Sequence, residues 1–99
     1  MKILGYDYEL VEEEDDDGAT GRAHISKQLI RIAPNQHKQQ KESTVLHEII
    51  EALTYHLHLE LPSDQHKVIM PLEAALYQVL VDAGVDLSPL TKEIRAKKK

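Results

Sequence analysis

The residues best suited to chemistry in this 99-residue chain are a histidine and two glutamates in one short stretch, HEIIE. If that stretch is helical, His47 and Glu51 lie one turn apart on the same face, where both can bind a single ion. Glu48 lies about 100° further round the helix, in position to activate a metal-bound water. The spacing is that of an HExxH motif with glutamate at the second histidine, which makes the ligand set harder and more anionic.

A purely structural interpretation of the same residues is the edge of an amphipathic helix, with a hydrogen bond between His47 and Glu51. The apolar context favours a site, because it places both side chains beside the buried face, where charged groups need partners or a metal. The apolar residues that surround the motif are Val45, Leu46, Ile49, Ile50, Ala52 and Leu53.

Two helices are predicted from apolar residues at three- and four-residue spacing. The first begins at a cap provided by Asn35 or Ser43 and ends near Leu59. The second follows the proline of LELPSD and stops near Gly84. Pro71 falls inside the second pattern and is expected to kink that helix or to divide it in two.

A third ligand follows from the geometry of a helical hairpin. If the two helices are antiparallel and turn near Leu61, reflection about the turn carries the midpoint of the His47 and Glu51 pair to Glu73. That glutamate lies on the same side of the second helix as Ile69, Leu72, Leu76 and Leu80, a side expected to face the core, where acids are uncommon. Reflection places His66 nearer to the turn, so Glu73 ranks first and His66 second as the third ligand.

The N-terminal third of the chain has the patterns of strands. Residues 2–12 alternate so that Leu4, Tyr6, Tyr8 and Leu10 share one side of a first strand. The runs RAHI and LIRIA are separated by three residues and predict a tight hairpin. The order predicts an α+β domain, a small three-stranded sheet followed by two antiparallel helices, over residues 1–87. Residues 88–99 are predicted to form a basic, flexible C-terminal tail.

These features resemble the zincin metallopeptidases, and among them the small phage and mobile-element domains of the ImmA/IrrE type. The likeness rests on a short sheet before TVLHEIIEAL and on LEAALYQVL, in the place of the later helix that carries a glutamate ligand. It implies that His47 and Glu51 bind zinc or another divalent ion together with Glu73 or His66, and that Glu48 is the general base. It also implies that a strand lines the cleft and pairs with an extended peptide. The residues of that strand would be Leu29, Ile30, Arg31 and Ile32.

Composition excludes several other classes of protein. The chain contains no cysteine, so thiolate metal sites and cysteine nucleophiles are excluded. A net charge of -5 argues against binding to a phosphate backbone. The N-terminus has no signal-peptide pattern, and no apolar run approaches the roughly 20 residues of a membrane span. We therefore expect a cytoplasmic protein, in the host cytoplasm if phage-encoded, whose partner is a peptide or protein and not a nucleic acid or membrane.

The sequence predicts a minimal metal-dependent peptidase-like protein of phage or prophage type. The alternative is a catalytically inactive domain that retains the zincin scaffold and binds a host protein through its edge strand or through an acidic loop, the run VEEEDDDG at residues 11–18. A helical hairpin without any ligand is the third interpretation.

Overall fold

A computed structural model describes residues 1–60 and 66–96 of the chain. The α+β class predicted from the sequence is confirmed: a small mixed sheet precedes two main helices. Within the described residues, no helix is both long enough and apolar enough to cross a membrane.

The segment predicted as one strand over residues 2–12 is divided into three short strands. They are β1 (Lys2–Ile3), β2 (Tyr6–Asp7) and β3 (Glu9–Glu12). Between β1 and β2, Leu4 and Gly5 have φ values of 51° and 86°, the left-handed pair of a two-residue hairpin turn. The turn reverses the chain, so the side chains of Leu4 and Tyr6 are exposed while those of Tyr8 and Leu10 are buried. The prediction that all four share one side is therefore wrong.

The main sheet has the strand order β4-β5-β3-β6. Strands β4 (Gly21–His24) and β5 (Leu29–Ile32) are antiparallel, which confirms the predicted hairpin between RAHI and LIRIA. A short 3-10 turn joins them and ends at Gln28 in the left-handed conformation. Strand β5 also pairs in parallel with β3, so it lies inside the sheet.

In the described ranges, three helices follow the hairpin: α1 (Lys38–His56), α2 (His66–Asp82) and α3 (Pro89–Lys92). The predicted caps of α1 are wrong: its N-cap is His37, and Ser43 lies inside the helix. Pro71 does not divide α2, which is one continuous helix. The predicted turn near Leu61 lies outside the described residues.

The C-terminal segment contributes to the sheet. Residues 88–99 were predicted to be a tail; within them, residues 89–92 form α3, and β6 (Arg95–Ala96) pairs in parallel with β3. Leu90 and Ile94 pack against the core between α1 and the sheet. Residues 97–99 lie outside the described part of the structure.

Helix α1 lies between the sheet and α2, and it therefore contributes to two apolar clusters. One cluster joins it to the sheet and contains Ile3, Tyr8, Leu10, Ile30, Ile32, Val45 and Ala52. The other joins it to α2 and is formed by Leu46, Ile50 and Ile69. The HEIIE stretch belongs to α1. Its polar residues therefore lie between the edge of the sheet and the start of α2.

Candidate metal centre

The three polar residues of HEIIE converge on one point. His47, Glu48 and Glu51 each present one ligand atom, and these atoms lie within 4.8 Å of one another. They line a cleft of about 620 Å³ between β4, α1 and the first turns of α2. The other residues that line this cleft are Ala19, Thr20, Gly21, Arg22, Ala23, His24, Thr44, Met70 and Glu73.

Glu48 is the most deeply buried member of the group, with only 3% of its surface exposed. Its Oε1 atom makes no hydrogen bond within residues 1–60 and 66–96. Burial is the main cause that raises the pKa of Glu48 to about 9, and the neighbouring Glu51 carboxylate raises it further. Arg22 and the backbone N–H of Ala23, which donates to this side chain, act in the opposite direction. Without a bound cation, Glu48 is therefore protonated at neutral pH.

The imidazole of His47 lies between two carboxylates. Its Nε2 atom is 3.7 Å from Oε1 of Glu51, and its Nδ1 atom is 3.7 Å from Oε1 of Glu73. The nearby Glu51 carboxylate is the main cause that raises the pKa of His47; burial opposes the shift, and the Glu73 carboxylate adds to it. The other oxygen of Glu73, Oε2, accepts a hydrogen bond of 2.7 Å from Ser43 Oγ.

The position of Glu73 follows the predicted reflection, because its carboxylate reaches the imidazole of His47. A second contact between the helices has the same antiparallel register: Tyr77 Oη donates to Glu42 Oε1 at 3.1 Å. Whether Glu73 is a ligand stays a prediction, since it faces the ring nitrogen opposite to the one that faces Glu51. The second choice, His66, begins α2, and its side chain lies outside the described part of the structure.

Gly21 allows β4 to approach α1 closely enough for Glu48 to meet the strand. A Cβ atom added at this position would lie 2.6 Å from Thr44 Cγ2 and 3.0 Å from Glu48 Oε2. Both distances are shorter than ordinary van der Waals contact. The role of Gly21 could not be predicted from the sequence, because its local pattern does not show that residues of α1 pack against it.

Two further cleft residues on β4 were not predicted to belong to the site. Arg22 is the one arginine or lysine among the described cleft residues, and its guanidinium is held by Asp15 and by Asp17 of the acidic loop. The hydrogen bond from Arg22 lowers the pKa of Asp15 to about 2. His24 is partly buried, and burial lowers its pKa. Its Nε2 atom makes no hydrogen bond to any described residue.

The predicted substrate-binding strand is corrected by the sheet order. The four residues proposed for it, Leu29, Ile30, Arg31 and Ile32, form β5. That strand pairs with β4 on one side and β3 on the other, and Ile30 and Ile32 are fully buried. Its backbone is therefore unable to pair with an added peptide strand. In the described part of the chain, the sheet edge beside the cleft belongs to β4.

Comparisons of this chain with protein-family models, with curated proteins and with solved structures find no match.

Proposed function

We propose that this chain is a minimal metal-dependent peptidase-like protein of the zincin type, with a divalent ion such as zinc held by His47, Glu51 and Glu73. The observation that carries the proposal is the buried, unpartnered Oε1 of Glu48, beside a histidine and a second glutamate, in an open cleft. A buried carboxyl oxygen without a hydrogen bond is costly. A functional site is one reason to retain such a group.

The donor set fits a divalent ion. Two ligand atoms about 2.1 Å from a tetrahedral ion are separated by about 3.4 Å. The separation of 3.7 Å between His47 Nε2 and Glu51 Oε1 is close to that value. Glu73 is equally near to the imidazole but faces Nδ1, the other ring nitrogen, so it supplies a further carboxylate to this ion only if its side chain rotates toward Glu51; Ser43 holds its second oxygen. One imidazole with two carboxylates is a harder set than two imidazoles with one carboxylate, so the site would also accept harder ions than zinc.

In this proposal the role of Glu48 is to accept a proton from the attacking water. A bound divalent ion would supply Lewis acidity toward the water and the scissile carbonyl. The positive charge would also lower the pKa of Glu48 from about 9, so that the side chain can act as a base near neutral pH. The backbone N–H of Ala23 fixes the carboxyl group against the edge strand.

The peptide would bind along β4. Addition of a strand at an exposed sheet edge uses backbone hydrogen bonds and leaves the neighbouring side chains to select the sequence. Arg22 and His24 lie on this strand and line the cleft, whereas Met70 lines it from α2. An extended peptide bound here would pass beside Glu48.

A second candidate function is favoured by the burial of Glu48. Only 3% of its surface is exposed, so solvent has little access to the presumed base. A catalytically inactive domain that retains the scaffold and binds a host protein through β4 or the acidic loop accounts for this burial. The two candidates differ in whether the carboxylate of Glu48 is needed for chemistry.

The experiment combines metal analysis with hydrolysis of a mixed peptide library by four proteins. Wild type and the control Glu14→Ala, which changes an exposed glutamate of the acidic loop, should bind one ion per chain and cleave peptides. Glu51→Ala should lose both properties, and Glu48→Gln should retain the ion but lose hydrolysis. Absence of a stoichiometric ion from wild type would refute the proposal. An ion without hydrolysis would favour the inactive binding protein.

A further inference from the structure

Helix α2 exposes an unusually apolar surface. Of the twelve residues of α2 whose described side chains are exposed, nine are apolar and three, Lys67, Gln78 and Asp82, are polar. The exposed fractions reach 51% for Leu72 and 57% for Val79. A surface helix of a monomer normally places polar residues on the side away from the core, and a helix that is apolar all round is normally buried. The composition of α2 therefore points to a partner on this side.

Six of the exposed apolar residues form a single stripe. Viewed down the helix axis, with 100° of rotation per residue, the six residues fall within an arc about 100° wide. The centre of this arc lies about 100° around the helix from the side of α2 that packs on α1. Their spacings along the chain are four, three, one, three and four, so the stripe reads the same in both directions. Its members are Val68, Leu72, Ala75, Leu76, Val79 and Ala83. Ala83 belongs to it because its N–H continues the helical pattern by bonding to the Val79 carbonyl.

A stripe with palindromic spacing is what an antiparallel pair of identical helices requires. In an isologous contact the same patch is used by both copies, related by a two-fold axis. With the axis at the level of Ala75 and Leu76, each of these two residues faces its own counterpart in the partner subunit across the axis. Leu72 then lies opposite Val79 of the partner subunit. The small side chain of Ala75 at the centre allows the two helices to approach closely.

The charges at the ends of α2 favour the same orientation. Lys67 at the start and Asp82 at the end lie on the same side of the stripe. In an antiparallel pair, Lys67 is within about 3 Å along the helix axis of the level of Asp82 of the partner subunit. A parallel pair would bring like charges together at both ends.

We propose that α2 pairs antiparallel with α2 of a second copy of this chain, about a two-fold axis at the level of Ala75 and Leu76. The proposal does not depend on metal binding, because Glu73 and Met70 lie at least about 110° away from the centre of the stripe. Both clefts remain accessible in the dimer. A contact formed by helices about 25 Å long is at the small end of protein interfaces, so the dimer is concentration-dependent.

The first test is sedimentation equilibrium over protein concentrations from about 1 μM to about 1 mM. Wild type should pass from monomer to dimer within this range. Ala75→Glu places a charge at the centre of the stripe and should raise the dissociation constant at least about tenfold. Ala74→Glu, the same change at an exposed position one residue away and outside the stripe, should leave the dissociation constant unchanged. A wild type that stays monomeric throughout, or equal weakening by both variants, would overturn the proposal.

The second test reports orientation. Because the chain contains no cysteine, a single introduced cysteine can cross-link only to its counterpart in another copy. Ala75→Cys should form a dimer under mild oxidation, because its counterpart lies within disulfide range across the axis. Val68→Cys should not, since the two counterparts are about 22 Å apart along an antiparallel pair. Cross-linking through Val68→Cys but not through Ala75→Cys would contradict the antiparallel arrangement.

Discussion

Replacement of Glu48 by glutamine should stabilise the metal-free protein at neutral pH and flatten the dependence of its stability on pH. In the folded protein the pKa of Glu48 is raised from 4.5 to about 9. Between these values the folded chain holds a proton at this position that the unfolded chain has released. Raising the pH through this window therefore favours the unfolded state, and the free energy of unfolding falls.

The size of this pH effect follows from a difference of one bound proton between the folded and the unfolded chain. A full proton difference lowers the free energy of unfolding by about 1.4 kcal/mol per pH unit. From pH 5 to pH 7 the maximum loss is about 2.5 kcal/mol, and we expect about 1–2 kcal/mol because the interaction of Glu48 with Glu51 spreads the release of the proton over a wider pH range. Glutamine has the shape of the neutral acid and carries no titrating proton. Its oxygen can still accept the hydrogen bond from the Ala23 N–H.

The assay is urea unfolding in EDTA at pH 5, 6, 7 and 8 for wild type, Glu48→Gln and the control Glu14→Gln. The raised pKa of His47 contributes stability below about 6.5 that is also lost as pH rises, so the informative quantity is the difference between wild type and each variant. The free energy of unfolding of Glu48→Gln, minus that of wild type, should increase by about 1–2 kcal/mol from pH 5 to pH 7. The same difference should stay constant for Glu14→Gln. A constant difference for Glu48→Gln as well would refute the assignment of a buried, protonated Glu48.

Two further pairs of substitutions test how the site is built. Gly21→Ala should lower the free energy of unfolding by about 1–3 kcal/mol in urea titrations, because the added Cβ overlaps Thr44 Cγ2. Thr44→Ser in the same chain removes that methyl group and should recover part of the loss, whereas no recovery would mean that the overlap is not the cause. Glu73→Gln should weaken zinc binding by about 100-fold or more if the carboxylate is a ligand, and Ser43→Ala, which removes only its hydrogen-bond donor, by about tenfold. Equal effects of the two changes would place Glu73 outside the ligand set.

The parts of the fold that local patterns encode were predictable. The apolar spacing of α1 and α2 and the short connection between RAHI and LIRIA each belong to a contiguous segment, where side-chain period and turn residues act directly. The break after Ile3 was not predictable in this way, because the alternating pattern continues through Leu4, which adopts a left-handed conformation. Strand β6 has only two residues, and its pairing depends on β3, more than eighty positions earlier in the chain.

The same distinction applies to the candidate site. His47, Glu48 and Glu51 are brought together by one helix, so their spacing alone predicted the cluster. The position of Glu73 needed one further assumption, an antiparallel hairpin, and the register of the two helices is consistent with it. The contribution of β4 was missed because strand order is a non-local property. The parallel pairing of β3 with β5 is what leaves β4 at the edge.

The side of α2 that packs within the chain could not be predicted from the sequence either. The sequence pattern identified its apolar residues but placed Leu72 and Leu76 on the side of the core. Among the described side chains of α2, only that of Ile69 is fully buried against α1, while the palindromic stripe is exposed. When a helix is apolar on more than one side, its period no longer determines which side packs within the chain.

The proposed metal site is tested most directly by calorimetric titration of the metal-free protein with zinc at pH 7, in two buffers of different ionisation enthalpy. Because Glu48 is protonated in the free protein and the pKa of His47 is raised, binding of the ion should release protons as well as heat. We expect one ion per chain, release of about one to two protons, and loss of this binding in Glu51→Ala but not in Glu14→Ala. The absence of a saturable site, or binding of equal strength in Glu51→Ala and wild type, would refute the proposed metal site.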